Sequence, residues 1–161
     1  MDKNKFIIAK KEFFPIIKDI ISNQVFIKTK KIKHHDRSIY HHSRRVAFIS
    51  YLIGKKLKWK NIYALTRGAI LHDFFLYDWR KGYIDPKTGK IKRFHGFWHP
   101  KVALENSKKY FSISKLEEDI ILKHMWPLTF YLIPKYKESW LVSFIDKYVA
   151  TLEFLREIKG K

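Results

Sequence analysis

Residues 61–75 of the chain read NIYALTRGAILHDFF. Leu65 and Ala69 recur at helical spacing, so this stretch predicts a helix that turns them towards a core. His72 follows Ala69 by three positions and Leu65 by seven, which places it on the same buried stripe, with Asp73 beside it. A helix that ends on an inward-facing histidine and an aspartate indicates a polar site inside the protein.

Helical periodicity dominates the rest of the chain as well. Apolar spacing, a Ser-x-x-Glu capping box at Ser114 and prolines at helix boundaries predict six helices. Their expected bounds are about 3–22 (with Pro15 as a kink or break), 38–57, 61–75, 100–110, 114–126 and 138–158. Residues 77–98 are expected to form an irregular loop or flap around the turn sequence DPKTG at 85–89. The prediction is an all-α bundle of about six helices.

Length and composition favour one globular domain over residues 1–161, with the N-terminal helix packing on a core of about 36–158. The chain has 161 residues, 46% of them hydrophobic, and shows no internal repeat. It has no cysteine, so any metal must be bound by His, Asp or Glu. The charged N-terminal stretch and the lack of an apolar run near ~18 residues lead us to expect a cytoplasmic protein.

The formal net charge is +19, from 34 Lys and Arg against 15 Asp and Glu. Such an excess attracts anions, including nucleotides, nucleic acid and acidic membrane surfaces. The lysines are spread along the whole chain rather than gathered in one block, which weakens the case for a dedicated nucleic-acid arm. The charge therefore favours an anionic substrate without naming it.

Inward-facing polar groups recur on four other predicted helices. His42 lies four residues before Val46, His124 four beyond Ile120, and Asp146 beside Ile145, while His99 precedes Pro100 at a helix start. Burying one such group unpaired costs roughly 2–7 kcal/mol, and a shared cation would solve this problem for all of them together. The expected metal ligands are His42, His72, Asp73, His99, His124 and Asp146.

These residues resemble the H…HD…D signature of the HD-domain metal-dependent phosphohydrolases. The matching parts are HSRRVA at 42–47, His72-Asp73 and Asp146-Lys147, and the resemblance extends over about residues 36–153. His99 and His124 occupy the places of the extra histidines in the two-metal branch. The resemblance implies one or two divalent ions, Mn, Fe, Zn, Co or Ni. His42, His72, Asp73 and Asp146 would hold the first ion, and Asp73, His99 and His124 the second.

The resemblance implies that a metal-activated water hydrolyses a phosphate mono- or diester. The favoured substrate is a nucleotide. The candidate catalytic residues are Asp73, Arg45, Lys147 and Asp78. Arg45 and Lys147 would contact a phosphate, although a structural ion pair would also explain Arg45. Asp78 is either a general acid or base, or an outer-shell partner, or a helix cap at the surface.

Two departures from the family pattern reduce the range of candidate substrates. HD-GYP phosphodiesterases carry a lysine shortly after His-Asp, whereas here His72-Asp73 is followed by Phe74-Phe75-Leu76. The Gly-Tyr-Pro element is also missing, so cyclic di-GMP is not the favoured substrate. The one-metal nucleotidases of the superfamily place a catalytic Glu near this position, and Asp78 is the nearest acidic residue in this chain.

Two further histidines adjoin the expected ligands. His41 aligns with Arg44 and Phe48 rather than with the inward stripe, so it is not expected to replace His42. His95 lies four residues before His99 among aromatic residues, where an ordinary loop role is favoured over a substrate contact or a third metal site.

Two other functions stay open. The missing lysine is compatible with a catalytically silent HD fold that senses a ligand, and the charge of +19 with a basic nucleic-acid-binding module. The expected partner is a small anionic phosphate ester or nucleotide. Nucleic acid is the less favoured partner, no membrane is expected, and the sequence leaves the oligomeric state open.

Overall fold

A computed structural model describes residues 3–34, 37–86, 88–92 and 94–160. Lys87 of the expected turn and Asp36, at the expected start of the core, lie outside the described residues. The structure is all-α, as predicted. Its helices are α1 Lys3–Ser22, α2 Gln24–Ile27, α3 Ile39–Lys56, α4 Ile62–Leu71, α5 His95–Tyr110, α6 Lys115–Lys123 and α7 Lys137–Lys159.

Two short hairpins and two 3-10 turns connect the helices. Strands β1 Lys33–His34 and β2 Arg37–Ser38 pair antiparallel before α3, and β3 Tyr83–Ile84 and β4 Ile91–Lys92 pair antiparallel before α5. The 3-10 turns are Lys28–Lys31 and Trp79–Lys81. The second hairpin lies in the expected flap, whereas the sequence analysis did not foresee α2 or the first hairpin.

Helix α4 lies at the centre of the bundle. It packs against α1, α3, α5, α6 and α7, and every side chain from Leu65 to Leu71 is buried. A Cβ atom on Gly68 would lie only 2.8 Å from Ile120 Cδ1, so α4 and α6 approach closely. Within this core the Arg67 guanidinium pairs with Asp19 of α1 at 2.7 Å and Glu117 of α6 at 3.1 Å. The stretch quoted above therefore organises the other helices around itself.

Four features of the helices differ from the sequence-based expectation. Helix α6 ends at Lys123 rather than at residue 126. Helix α1 continues through Pro15, because Phe13 and Ile17 on either side pack into the core and the loss is limited to one backbone hydrogen bond. Helix α4 ends at Leu71 rather than at residue 75. Helix α5 begins at His95 rather than at Pro100, with the His95 ring 4.7 Å from the Phe75 ring.

The predicted N-terminus of α6 is confirmed. Ser114 Oγ accepts a hydrogen bond from Glu117 N at 3.3 Å, and Glu117 Oε2 accepts one from Ser114 N at 2.7 Å. This reciprocal cap fixes the start of the helix whose other end carries His124. Within the described part of the chain, no helix combines the length and apolar character needed to cross a membrane.

We expect Ser114→Ala to lower the free energy of unfolding by about 0.5–2 kcal/mol, because the Glu117 amide loses its acceptor. The exposed Ser112, two residues earlier, is the matched control, and Ser112→Ala should change stability by less than about 0.5 kcal/mol. Urea denaturation followed by circular dichroism measures both. Equal effects of the two substitutions would contradict the capping role.

Candidate metal centre

Two histidines occupy equivalent positions at the ends of two helices. His72 is the C-cap residue of α4 and His124 that of α6, both in right-handed helical conformation. His72 Nδ1 donates to the Ala69 carbonyl at 2.8 Å, and His124 Nδ1 to the Ile121 carbonyl at 2.8 Å. These carbonyls lie in the last turn of each helix, where acceptors lack intrahelical partners. Each ring therefore turns its Nε2 to the interior, and in the neutral form this nitrogen carries the lone pair.

The rings of the other two histidines are oriented in the same way, by a hydrogen bond from Nδ1. His99 of α5 donates from Nδ1 to the His95 carbonyl at 3.0 Å. His42 of α3 donates from Nδ1 to the Glu153 carboxylate of α7 at 2.8 Å. Because a carbonyl or carboxylate oxygen only accepts, all four imidazoles carry their Nδ1 proton outward and turn Nε2 towards one point.

The Asp73 carboxylate lies at that point. Its Oδ1 is 3.2 Å from His99 Nε2 and 3.6 Å from His124 Nε2. Its Oδ2 is 3.6 Å from His72 Nε2 and 3.9 Å from His42 Nε2. One oxygen thus faces each pair of histidines, so this residue, which is 3% exposed, connects the two halves of the cluster.

Asp146 of α7 completes one half. Its Oδ1 lies 3.0 Å from His42 Nε2 and 3.4 Å from His72 Nε2. Burial raises the pKa of Asp146, but the hydrogen bonds and charges of these two histidines hold it well below its usual range. Burial lowers the pKa of His42, whereas its bonds to Asp146 and Glu153 raise it to about 10. This half of the cluster is a carboxylate site that already attracts positive charge.

The second half contains two facing nitrogens. His99 Nε2 and His124 Nε2 are 2.7 Å apart, although both rings direct their Nδ1 protons to carbonyls. Two lone pairs at that distance repel unless a proton or a metal cation lies between them. Burial, together with His99 and His72, holds the pKa of His124 well below its usual range, which disfavours a proton on this ring.

The donor set fits divalent metal ions. Two groups of donor atoms each lie within 4.8 Å of one another, one from His42, His72 and Asp146 and one from His72, Asp73 and His124. His72 Nε2 is buried, and Asp146 Oδ1 at 3.4 Å and Asp73 Oδ2 at 3.6 Å face it at longer than ideal hydrogen-bond distance. Imidazole and carboxylate ligands suit the first-row transition metals, and a cation would satisfy all these buried groups together. The cluster could therefore hold a metal.

Glu153 is an interior residue that the sequence analysis missed. It is fully buried, accepts from His42 Nδ1 and lies 3.6 Å from Arg45 Nη1. The signal was present in the sequence, because Glu153 is four residues beyond Val149 on the buried face of α7. Arg45, proposed for phosphate contact, thus forms the ion pair considered as its alternative.

The two remaining catalytic candidates lie in different places. Lys147 Nζ donates to the His124 carbonyl at 2.7 Å and to the Ser143 carbonyl at 3.2 Å, and burial lowers its pKa. Asp78 caps the turn Trp79–Lys81, and its hydrogen bond from Arg80 holds its pKa below the usual value. Lys147 lies beside the cluster, whereas the position of Asp78 suits a cap, and its catalytic role stays a prediction.

An open cavity of about 230 Å³ leads to the cluster. Its lining residues are Asp73, Trp79, His95, Gly96, His99, Met125, Asp146, Lys147 and Ala150. His95 therefore belongs to the cavity wall, where its ring stacks on that of His99 at 4.3 Å and its Nδ1 bonds to Tyr77 Oη at 2.9 Å. His41 is exposed and bonded to Ser38 Oγ at 2.9 Å, away from the cluster.

We expect His42→Ala to lower the content of divalent metal in the purified protein, because it removes one inward-facing Nε2 donor. The adjacent exposed His41 provides the matched control, and His41→Ala should leave the metal content unchanged. Elemental analysis of the two variants and the parent protein measures this. Loss of metal from both variants, or from neither, would contradict the assignment of His42.

Glu153→Ala should weaken metal affinity about 10–100-fold, because His42 loses the acceptor that orients its ring. Glu153→Gln retains an acceptor oxygen and should recover part of the loss. Glu157→Ala, one helical turn further along α7, is the control and should have no effect. Titration against a chelator measures affinity, and an unaltered affinity in Glu153→Ala would show that this contact does not tune the site.

Comparison with known proteins agrees with this geometry. No curated protein and no solved structure matches the chain closely enough to carry an argument. Residues 39–151, more than half of the chain, match the family model described as the HD domain. That family is a helical fold of metal-dependent phosphohydrolases, and the matched segment contains every residue of the cluster except Glu153. The chain therefore belongs to the HD domain family.

Proposed function

We propose that this protein is a metal-dependent phosphohydrolase that hydrolyses a phosphate mono- or diester of a nucleotide. The observation that carries the proposal is the buried Asp73 carboxylate, with one oxygen towards His42 and His72 and the other towards His99 and His124. A carboxylate between two sets of nitrogen donors suits a pair of metal ions better than a single one.

The roles in metal binding follow the two halves of the cluster. His42, His72, Asp73 and Asp146 would hold one ion, and Asp73, His99 and His124 the other. The chemistry that bound divalent ions would supply is a water of lowered pKa as nucleophile and neutralisation of charge on the phosphoryl oxygens. Glu153 accepts from His42 Nδ1, so Nε2 faces the metal side and would give up its proton when a cation binds there.

Lys147 contributes positive charge beside the substrate. Its ammonium group donates to three acceptors, the His124 carbonyl and the carbonyl and hydroxyl of Ser143. These bonds use its three N–H groups, so its effect on a phosphate would be electrostatic. They also tie α7 to the end of α6 that carries His124, and Lys147 therefore positions the centre as well.

The cavity wall favours a nucleotide over a simple phosphate ester. The half-buried Trp79 indole and the His95 ring face the cavity, with their centroids 5.8 Å apart. Aromatic faces of this kind bind nucleobases by stacking. The cavity, about 230 Å³, is smaller than the ~300–1,000 Å³ of ordinary ligand pockets, so part of the substrate would extend towards the surface.

A ligand sensor that binds metal without turnover is the second candidate. The residues after Asp73 are Phe74 and Phe75, both fully buried, so no lysine projects into the site from this position. Such a protein would bind metal and nucleotide but release no product. Turnover separates the two functions.

We expect the metal-loaded protein to hydrolyse p-nitrophenyl phosphate, its diester analogue or one of a panel of nucleotides. Asp73→Asn should lower kcat at least about 100-fold, because loss of a carboxylate ligand costs more than the about 10–100-fold typical of outer-shell partners. Asp85→Asn, in the hairpin away from the cluster, should retain activity. Full metal content without any turnover would instead favour the sensor.

The number of ions is tested by the second half of the cluster. His99→Ala and His124→Ala should each reduce the metal content from about two ions per chain to about one and lower turnover. Elemental analysis and phosphate release measure both effects. A content near one in the parent protein that survives these substitutions would indicate a one-metal nucleotidase.

A further inference from the structure

The surface beside the start of α3 carries two adjoining basic grooves. The larger, about 470 Å³, is lined by Lys30, Lys31, Lys33, Arg37, Ser38 and His41. The smaller, about 270 Å³, is lined by Lys10, Phe13, Phe14, Arg37, His41, Arg44, Arg45 and Phe48. Because Arg37 and His41 line both, the two form one continuous surface, which we call the basic groove. Among the described residues, no carboxylate lines it.

Lys30 and Lys31 of the basic groove form no ion pair with a carboxylate among the described residues, whereas two other cations of the groove do. Lys33 lies 3.9 Å from Glu157 and Arg45 lies 3.6 Å from Glu153, and both acidic residues belong to α7. Like charges held together on one concave surface repel each other and raise the local concentration of anions. A surface of this kind favours a ligand that carries several negative charges at regular spacing.

The basic groove adjoins the metal centre. The Trp79 side chain lines the cavity of the metal centre, and its Nε1 donates to the Lys33 carbonyl at 3.2 Å. On the other side, Glu153 contacts both Arg45 of the groove and His42 of the metal cluster. Trp79 therefore contacts both the wall of the metal cavity and the chain segment that forms one end of the basic groove.

We propose that the basic groove binds the sugar–phosphate backbone of a single nucleic-acid strand and directs it to the metal cavity. The substrate of the proposed hydrolase would then be an oligonucleotide. That the bound strand is hydrolysed rests on the proposed function, whereas strand binding by the groove does not. Cationic side chains that follow a groove, with aromatic rings among them, are the means by which proteins bind single strands without sequence preference.

The aromatic residues of the basic groove favour a strand over a membrane. The Arg44 guanidinium lies 5.3 Å from the Phe14 ring and 5.4 Å from the Tyr40 ring, and Lys30 Nζ lies 4.8 Å from the Tyr40 ring. A guanidinium plane supported by rings offers a stacking surface for a base. A lipid surface is broad and flat, whereas Phe14 and Arg44 line the part of the groove between α1 and α3, and Lys30 lines the part beside the first hairpin.

Binding is tested by fluorescence anisotropy with a labelled oligothymidylate of about 16 nucleotides, the upper end of single-strand site sizes. We expect salt-dependent binding that weakens about tenfold in Lys30→Gln/Lys31→Gln, with the salt slope reduced by about 1–1.5. Lys56→Gln/Lys60→Gln removes the same charge from exposed positions at the opposite end of α3. This control should bind within about twofold of the parent protein.

Equal weakening in both double variants would overturn the proposal, because the effect would then follow net charge alone. Binding of phosphatidylserine vesicles that depends on Lys30 and Lys31, without binding of the oligonucleotide, would also overturn it and identify a lipid surface.

Catalysis gives an independent readout. With the metal-loaded protein, Lys30→Gln/Lys31→Gln should raise KM for the oligonucleotide several-fold and leave KM for p-nitrophenyl phosphate unchanged. Groove-dependent strand binding without hydrolysis of any ester would support the basic groove as a binding surface while refuting the proposed function. Hydrolysis of small esters without groove-dependent strand binding would support the proposed function and refute the basic groove as a strand-binding surface.

Discussion

The structure depends on one buried carboxylate that is shared by four imidazoles. Asp73 follows the central helix α4 directly, so its position is set by the element against which five other helices pack. Its two oxygens face opposite pairs of histidines from α3, α5 and the ends of α4 and α6. A negative charge at such depth is costly unless a positive charge lies near it. A metal cation would offset the charge of Asp73 and bind the nitrogen atoms of the four histidines at the same time.

The outer contacts of the histidines explain why the cluster is ordered before any ligand is considered. Helix-terminal carbonyls hold His72 and His124, a carbonyl one turn earlier holds His99, and a carboxylate holds His42. For His72 and His124, backbone groups that would otherwise be unsatisfied at the helix C-terminus thus orient the rings. Helix termination and metal-site geometry are parts of one arrangement.

Charge is distributed in opposite senses inside and outside the bundle. The interior concentrates Asp73, Asp146 and Glu153, all at most 8% exposed, whereas the chain as a whole has a formal net charge of +19. The acidic interior would hold cations, and the basic surface would attract the anions on which those cations act. The two features would be complementary in the proposed phosphohydrolase.

The sequence by itself determined the all-α fold, the capped start of α6 and the inward faces that carry His42, His72, His124 and Asp146, because helical periodicity encodes which side of a helix is buried. It could not determine the contact between His42 and Glu153, 111 positions apart, or the 2.7 Å approach of His99 to His124. It also misplaced the start of α5, where ring packing outweighs the preference of Pro100 for a helix start. The sequence also did not reveal the basic groove, which residues of α1, the first 3-10 turn, the first hairpin and α3 form together. Periodicity assigns a residue to a face, whereas helix crossing and packing decide which faces meet.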